Sequence, residues 1–326
     1  MTVIDIHTHA YTPEWYEIMR EHGGDYNIQK RPDGKEEIFK RNTPVAFPQP
    51  GHFDYDLRIK QMDDTGIDIS IVSLTCPNVY WGGEAISCAA AFASNNNMAE
   101  AQNTFPDRIR WYTSLPWEYP NKAVEELERT LALGASGVMV LANIAGRSLT
   151  DPFFAPIWQA IDDKGLPVLV HPTDPPGALD MDMGSYDLSW SVGFMFDTTL
   201  AFTRMIFDGF FDKYPNIKMI ASHGGGALPY LVGRLEKGDE VELKERRMMK
   251  RSPTEYLKHI YYDCINYDAR AMQYLMSIVG PDRVMFGTDW PHQVFDTKGA
   301  IAHTADLSDA ECKAIRSKTA MKVFDL

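Results

Sequence analysis

The sequence predicts an α/β fold of the (β/α)8, or TIM, barrel type, on three observations. Eight short apolar runs are spread along the chain, helical patterns fall between them, and 326 residues suit one such barrel with extended loops. The runs are Val3–His9, Asp68–Leu74, Ile109–Pro116, Gly137–Ala142, Pro167–Pro172, Ile217–His223, Ile260–Asn266 and Val284–Asp289. Most are nearly continuous in Val, Ile, Met and Tyr, as parallel strands covered on both faces require.

The helical patterns are equally plain. Asn121–Leu133 carries Val124, Leu127 and Leu131 on one face and meets Gly134, a helix stop. Phe153–Lys164 repeats the arrangement before Gly165, and Ser308 with Glu311 forms a capping-box pattern for a last helix. Most strand starts are 24 to 43 residues apart, one βα unit, but 65 residues separate Val3 from Asp68 and 50 separate Pro167 from Ile217. Extra chain therefore follows strands one and five, on the face where such barrels place their sites. The first insert, about residues 11–56, reads as a lid or a small excursion. With no repeat, low-complexity stretch or linker, residues 1–326 are expected to form a single domain.

Charge excludes some functions. Asp and Glu total 45 against 32 Lys and Arg, a net charge of −13, so nucleic acid and anionic membranes are poor partners. No apolar run reaches the roughly 18 residues of a membrane span, and the start lacks the pattern of a signal peptide, so a cytoplasmic protein is expected. Cys76, Cys88, Cys264 and Cys312 form no C-x-x-C pair and are expected to be structural.

Chemistry gathers at the strand tips. In Asp5-Ile6-His7-Thr8-His9, side-chain alternation points His7 and His9 to one face. His171 ends strand five, His223 ends strand six before three glycines, and Asp289 ends strand eight. One such residue means little, since His171 could bond a carbonyl and Asp289 could cap a turn. Five at four strand tips point to a divalent metal. The glycines after His223 suit a helix N-terminus that holds a carboxylate, or simply a tightly packed turn.

These motifs resemble the amidohydrolase superfamily and, within it, the branch of the α-amino-β-carboxymuconate-ε-semialdehyde decarboxylases. The resemblance rests on D-x-H-x-H at Asp5–His9, V-H-P at Val170–Pro172, H-G-G-G at His223–Gly226 and G-T-D at Gly287–Asp289. It extends to Asp56, Arg58, Met62 and Asp63, Tyr80-Trp81, Trp190 with Gly193, Asp197-Thr198-Thr199 and the closing Thr319–Phe324. It implies one divalent metal held by His7, His9, His171 and Asp289, with His223 and Asp289 catalytic. Three nitrogens and one oxygen in that set suit zinc and also permit manganese, iron or cobalt. A water on the ion would ionise near pH 7, with His223 shuttling its proton. The resemblance also implies a homodimer and decarboxylation of a small unsaturated or aromatic carboxylic acid. Lactone or amide hydrolysis, or hydration of a related acid, needs almost the same parts and stands as the alternative. A barrel that binds without turnover is disfavoured by the intact constellation.

Two departures bear on the substrate. Benzoate-type decarboxylases of the branch carry Glu-x-His where this chain has His7-x-His9. The branch also uses two arginines for substrate carboxylates: Arg41 matches the first loosely. The stretch for the second runs Leu235–Glu242 and is acidic, with Arg246 and Arg247 beyond it. Trp190 and the Tyr80–Trp81 pair are candidates to line a pocket for a flat acid. His22, His52, His259 and His303 are expected on the surface or in loops, and His292 near the site mouth without a role.

Overall fold

In the computed structural model, residues 1–40, 43–175, 177–178, 180–241 and 248–326 are described. Eight parallel strands form one sheet in sequence order: β1 (Ile4–Ala10), β2 (Ile69–Leu74), β3 (Ile109–Ser114), β4 (Gly137–Leu141), β5 (Pro167–His171), β6 (Lys218–Ala221), β7 (Tyr261–Asp263) and β8 (Val284–Met285). Beyond β8 the chain runs on beside β1. Ile6 N–H donates to Phe286 O at 3.0 Å, Asp289 N–H to His7 O at 2.9 Å and His9 N–H to Trp290 O at 2.9 Å. These bonds join the last strand to the first and make a (β/α)8 barrel. Every residue of β1, β4 and β5 is buried, as strands covered on both faces must be.

The helices begin and end where local chemistry directs. Pro120–Ala132 starts on a proline and stops before Gly134, whose φ of +95° an L side chain resists. The second helical pattern is shorter than expected: a 3-10 turn at Pro152–Phe154 precedes the helix Ala155–Asp163. Ser308 accepts the Glu311 N–H and caps the helix Asp309–Lys313. No helix among the described residues is long and apolar enough to cross a membrane. Cys76 and Cys264 are buried, and all four cysteines are free thiols.

The insert after β1 has structure of its own. It holds a helix (Pro13–His22), an antiparallel sheet of Tyr26–Lys30, Glu36–Lys40 and Thr43–Ala46, and a 3-10 turn at Pro50–His52. Ile38 and Ala46 of that sheet join the same buried apolar cluster as the barrel strands. Gly51 fits the turn against the barrel rim, since a Cβ there would lie 2.4 Å from Trp290. Arg58, on the following helix, is buried beneath β1; it donates to Thr8 Oγ1 at 2.9 Å and to the His9 carbonyl, and lies 4.5 Å from the Trp290 ring.

Two strands expected to carry site residues at their tips stop short of them. β8 ends at Met285 rather than Asp289, and His223 lies beyond β6 in a 3-10 turn. Both residues take left-handed backbone, φ +62° at Asp289 and +53° at His223. A regular strand would send alternate side chains to opposite faces. The left-handed bend instead turns each side chain over the barrel mouth.

Candidate metal centre and active site

Four ligand atoms, one each from His7, His9, His171 and Asp289, lie within 4.8 Å of one another at the C-terminal mouth of the barrel. The register of β1 against β2 shifts between Asp5 and Thr8, and the rings of His7 and His9 still converge, Nε2 to Nε2 at 2.9 Å. His9 Nε2 is 3.1 Å and His7 Nε2 3.4 Å from Asp289 Oδ1.

Partners behind the rings fix their tautomers. His7 Nδ1 faces Asp263 Oδ2 at 2.7 Å and His171 Nδ1 faces Pro172 O at 2.8 Å; both oxygens only accept, so both nitrogens carry the proton. His9 Nδ1 lies 3.0 Å from Ser73 Oγ, whose own proton is directed to Thr8 O at 3.3 Å, so His9 donates as well. All three imidazoles therefore present an Nε2 lone pair. Two such lone pairs 2.9 Å apart repel, and His171 Nε2 is buried with no partner at all. A cation placed among them satisfies all three with Asp289, so the residues fit a divalent metal. Burial, then the neighbouring histidines, holds His171 well below the ordinary imidazole range. Burial does the same for His9, against the opposing pull of Asp289. Neutral rings are what a metal needs.

His223 stands beside this cluster. Its ring packs 5.1 Å from that of His7 and 5.4 Å from that of His171, with Nε2 3.4 Å from Asp289 Oδ2. Burial pushes its proton affinity down, but the bond to Asp289 and the charges of Asp289 and Asp263 outweigh it and leave it raised. Asp289 is driven well below the carboxylate range: burial opposes this, and His292, His223 and His9 overcome it.

Asp263, on β7, was missed in the sequence. It is fully buried, accepts the His7 ring proton, and accepts backbone N–H bonds from His223 at 2.8 Å and Gly224 at 2.9 Å. One carboxylate thus orients a metal ligand and the His223 turn together. A lone acid inside the apolar run Ile260–Asn266 was the available signal, because a buried carboxylate must have partners. Asp5 supports the other side, accepting from Thr288 Oγ1 at 2.6 Å and from the Thr288 and His7 backbones; burial pushes its carboxyl up to about 7.

The cluster opens into a cavity of about 390 Å³ whose wall includes His171, His223, Asp289, Trp190 and His292. Phe47, Phe194, Met195 and Val294 supply apolar surface, and Val45 and Ala46 bring the insert's third strand to the rim. No Lys or Arg is among the described residues that line it. The glycines after His223 serve packing: a Cβ at Gly224 would lie 2.2 Å from Asn266 Nδ2, and one at Gly226 would lie 2.3 Å from Met195 O.

Trp190 is thus on the wall, carried by the turn Ser189–Gly193. Tyr80 and Trp81 are not. They line a second cavity of about 560 Å³ between the insert and the loops after β2, β4 and β5, where Trp81 Nε1 donates to Asn78 O at 2.9 Å. Their segment leaves β2 toward the insert helix, where the Trp81 ring meets Trp15 at 5.9 Å. Arg41, Arg246 and Arg247 lie outside the described residues. His52, expected on the surface or in a loop, lies in the turn Pro50–His52 and is buried because that turn is pressed against Trp290, and its ring stacks on Tyr11 at 4.8 Å.

The amidohydrolase family profile matches residues 4–326. The chain belongs to the amidohydrolase family. Its relatives include a 2-amino-3-carboxymuconate-6-semialdehyde decarboxylase of Dictyostelium discoideum, 29% identical over 88% of this chain and 81% of that protein. A gamma-resorcylate decarboxylase of a Polaromonas species is 29% identical over 83% of this chain and 87% of its own length. Among solved structures, a 5-carboxyvanillate decarboxylase of Novosphingobium aromaticivorans has a TM-score of 0.84 at 25% identity. It covers 100% of this chain and 96% of that one, and holds manganese and 4-hydroxy-3-methoxy-5-nitrobenzoic acid. Amidohydrolase-family decarboxylases, which the strand-tip motifs implied, are therefore among the relatives of this chain, and so is a 2-keto-4-carboxy-3-hexenedioate hydratase of a Sphingobium species, 24% identical over 99% of this chain and 96% of that protein.

Proposed function

We propose that this amidohydrolase is a metal-dependent decarboxylase of a small aromatic or unsaturated carboxylic acid, with His7, His9, His171 and Asp289 as ligands. The carrying observation is the set of three Nδ1-protonated histidines whose Nε2 lone pairs converge with Asp289 beside a fourth, protonatable histidine, His223. A bound divalent ion would neutralise the substrate's carboxylate side and draw electron density from the carbon skeleton. His223 does the protein's part. When the bond to the carboxyl carbon breaks, its electron pair stays on the ring or chain carbon, CO2 leaves, and the His223 imidazolium gives that carbon a proton. Asp289 keeps His223 protonated until then. The apolar wall of Phe47, Phe194, Met195 and Val294 limits water, and the Trp190 indole offers a flat surface to a conjugated acid.

Zinc is our choice of metal, because a His3Asp set suits it; manganese in the related structure makes it the competitor. A homodimer belongs to the same reading, by family resemblance, and light scattering tests it. The reaction is tested by metal analysis with a panel of aromatic and unsaturated acids, recording CO2 and hydrolytic products separately. CO2 without hydrolysis supports the reading; hydrolytic acid release without CO2 overturns it in favour of a hydrolase.

A further inference from the structure

His292 has a place in the cavity that the decarboxylase reading leaves unused. It follows the ligand Asp289 on one tight turn, His292 N–H donating to Asp289 O at 3.1 Å. Its ring lies 4.8 Å from that of the ligand His9, whereas the His223 ring packs against His7 and His171. The two histidines therefore flank the metal cluster on different sides of one cavity. His292 Nε2 is tied to Thr75 Oγ1 at 3.0 Å, which fixes the ring. Nδ1 has no hydrogen-bond partner among the described residues.

We propose that His292 is a specificity-determining residue that hydrogen-bonds a hydroxyl group next to the substrate's carboxylate; the assignment rests on the decarboxylase reading for the carboxylate itself. Because His223 faces the cavity from the His7 and His171 side and His292 from the His9 side, an acid whose carboxyl-bearing carbon lay near His223 would turn a neighbouring position toward His292. Thr75 either donates to Nε2 or accepts from it, so Nδ1 is a donor in one case and an acceptor in the other. A hydroxyl satisfies both, because it donates and accepts. A second carboxylate satisfies only the first. The mostly apolar wall makes this one polar contact count for selection, since an analogue without the hydroxyl leaves Nδ1 unpaired.

The test is a pair of ligands, 2-hydroxybenzoate and benzoate, titrated by calorimetry into metal-loaded protein, with no need for either to be decarboxylated. The wild type should prefer 2-hydroxybenzoate. In His292→Phe that preference should fall by about tenfold, with benzoate affinity and metal content within about twofold of wild type. His292→Gln, which keeps a polar end, should retain part of the preference, and Thr75→Val should lower it by a smaller factor. An unchanged preference in His292→Phe overturns the assignment; if that variant does not fold, an unchanged preference in both other variants does so. A wild type that binds both ligands equally, or neither, overturns it too. CO2 release from other acids in the panel would then still stand, so the two readings fail separately.

Discussion

The barrel mouth carries two cavities, and the larger is the less equipped for chemistry. The one of about 560 Å³ has polar groups in its wall, several of which are occupied with holding loops together. Asn143 donates to both oxygens of Asp197 and to Asp174 O, Thr173 N–H bonds Asp197, and Ser189 Oγ bonds Asp174. The one of about 390 Å³ keeps buried polar atoms unsatisfied at its base, His171 Nε2 and His223 Nδ1 among them. Native proteins rarely leave buried polar atoms unpaired, so convergence of such atoms marks a site better than volume does.

The comparison can be broken most forcefully at His223. His223→Ala should lower kcat by about 10²–10⁴ while the metal remains bound, as atomic absorption would show. Retention of full activity would remove the proton-donor role. Next comes the metal. His171→Ala should leave the purified protein with clearly substoichiometric metal, and chelation of the wild type should abolish activity and lower Tm in a manner reversed by added zinc or manganese.

Asp263→Asn should weaken metal affinity by about 10–100-fold, because the His7 ring loses its acceptor and the His223 turn loses its anchor. Metal titration monitored by competition with a chromogenic chelator measures this directly.

Asp197, beneath the larger cavity, gives a pH effect. Burial pushes its carboxyl up to about 7 from an ordinary 3.8, against the bonds from Thr173 and Asn143. The folded chain then holds a proton that the unfolded chain releases between these values. Its contribution to stability therefore falls as pH rises from about 4 to about 7. Asp197→Asn should flatten the Tm-against-pH curve over that window; an unchanged slope would contradict the assignment. Smallest of all, Tyr80→Phe should leave catalytic constants within about twofold, whereas Trp190→Ala should raise KM several-fold. Equal effects on KM would mean the two cavities are not functionally distinct.

Much of this was legible along the chain because the barrel repeats a local unit. The eight runs announced the strands, and Gly134, Gly165 and the Ser308 box marked helix ends, since each depends on chemistry within a few residues. His7, His9, His171 and Asp289 were recoverable because a βα barrel carries every strand tip to one face. Asp263 and His292 were harder. An acid in an apolar run and a histidine beside a ligand become informative only with their partners known, and Asp263 meets His7 across 256 positions of sequence. The burial of His52 was hidden for the same reason, because it depends on a turn that leans on Trp290.

The sequence by itself determined the periodicity, the stops and the ligand types, because these follow from backbone propensity and side-chain chemistry. Only the tertiary structure decided that Trp190 and not Tyr80 or Trp81 walls the metal cavity. It alone decided which nitrogen each histidine presents, and that left-handed bends at His223 and Asp289 turn those side chains over the mouth. Those outcomes depend on where loops far apart in sequence come to rest, and no local rule encodes that.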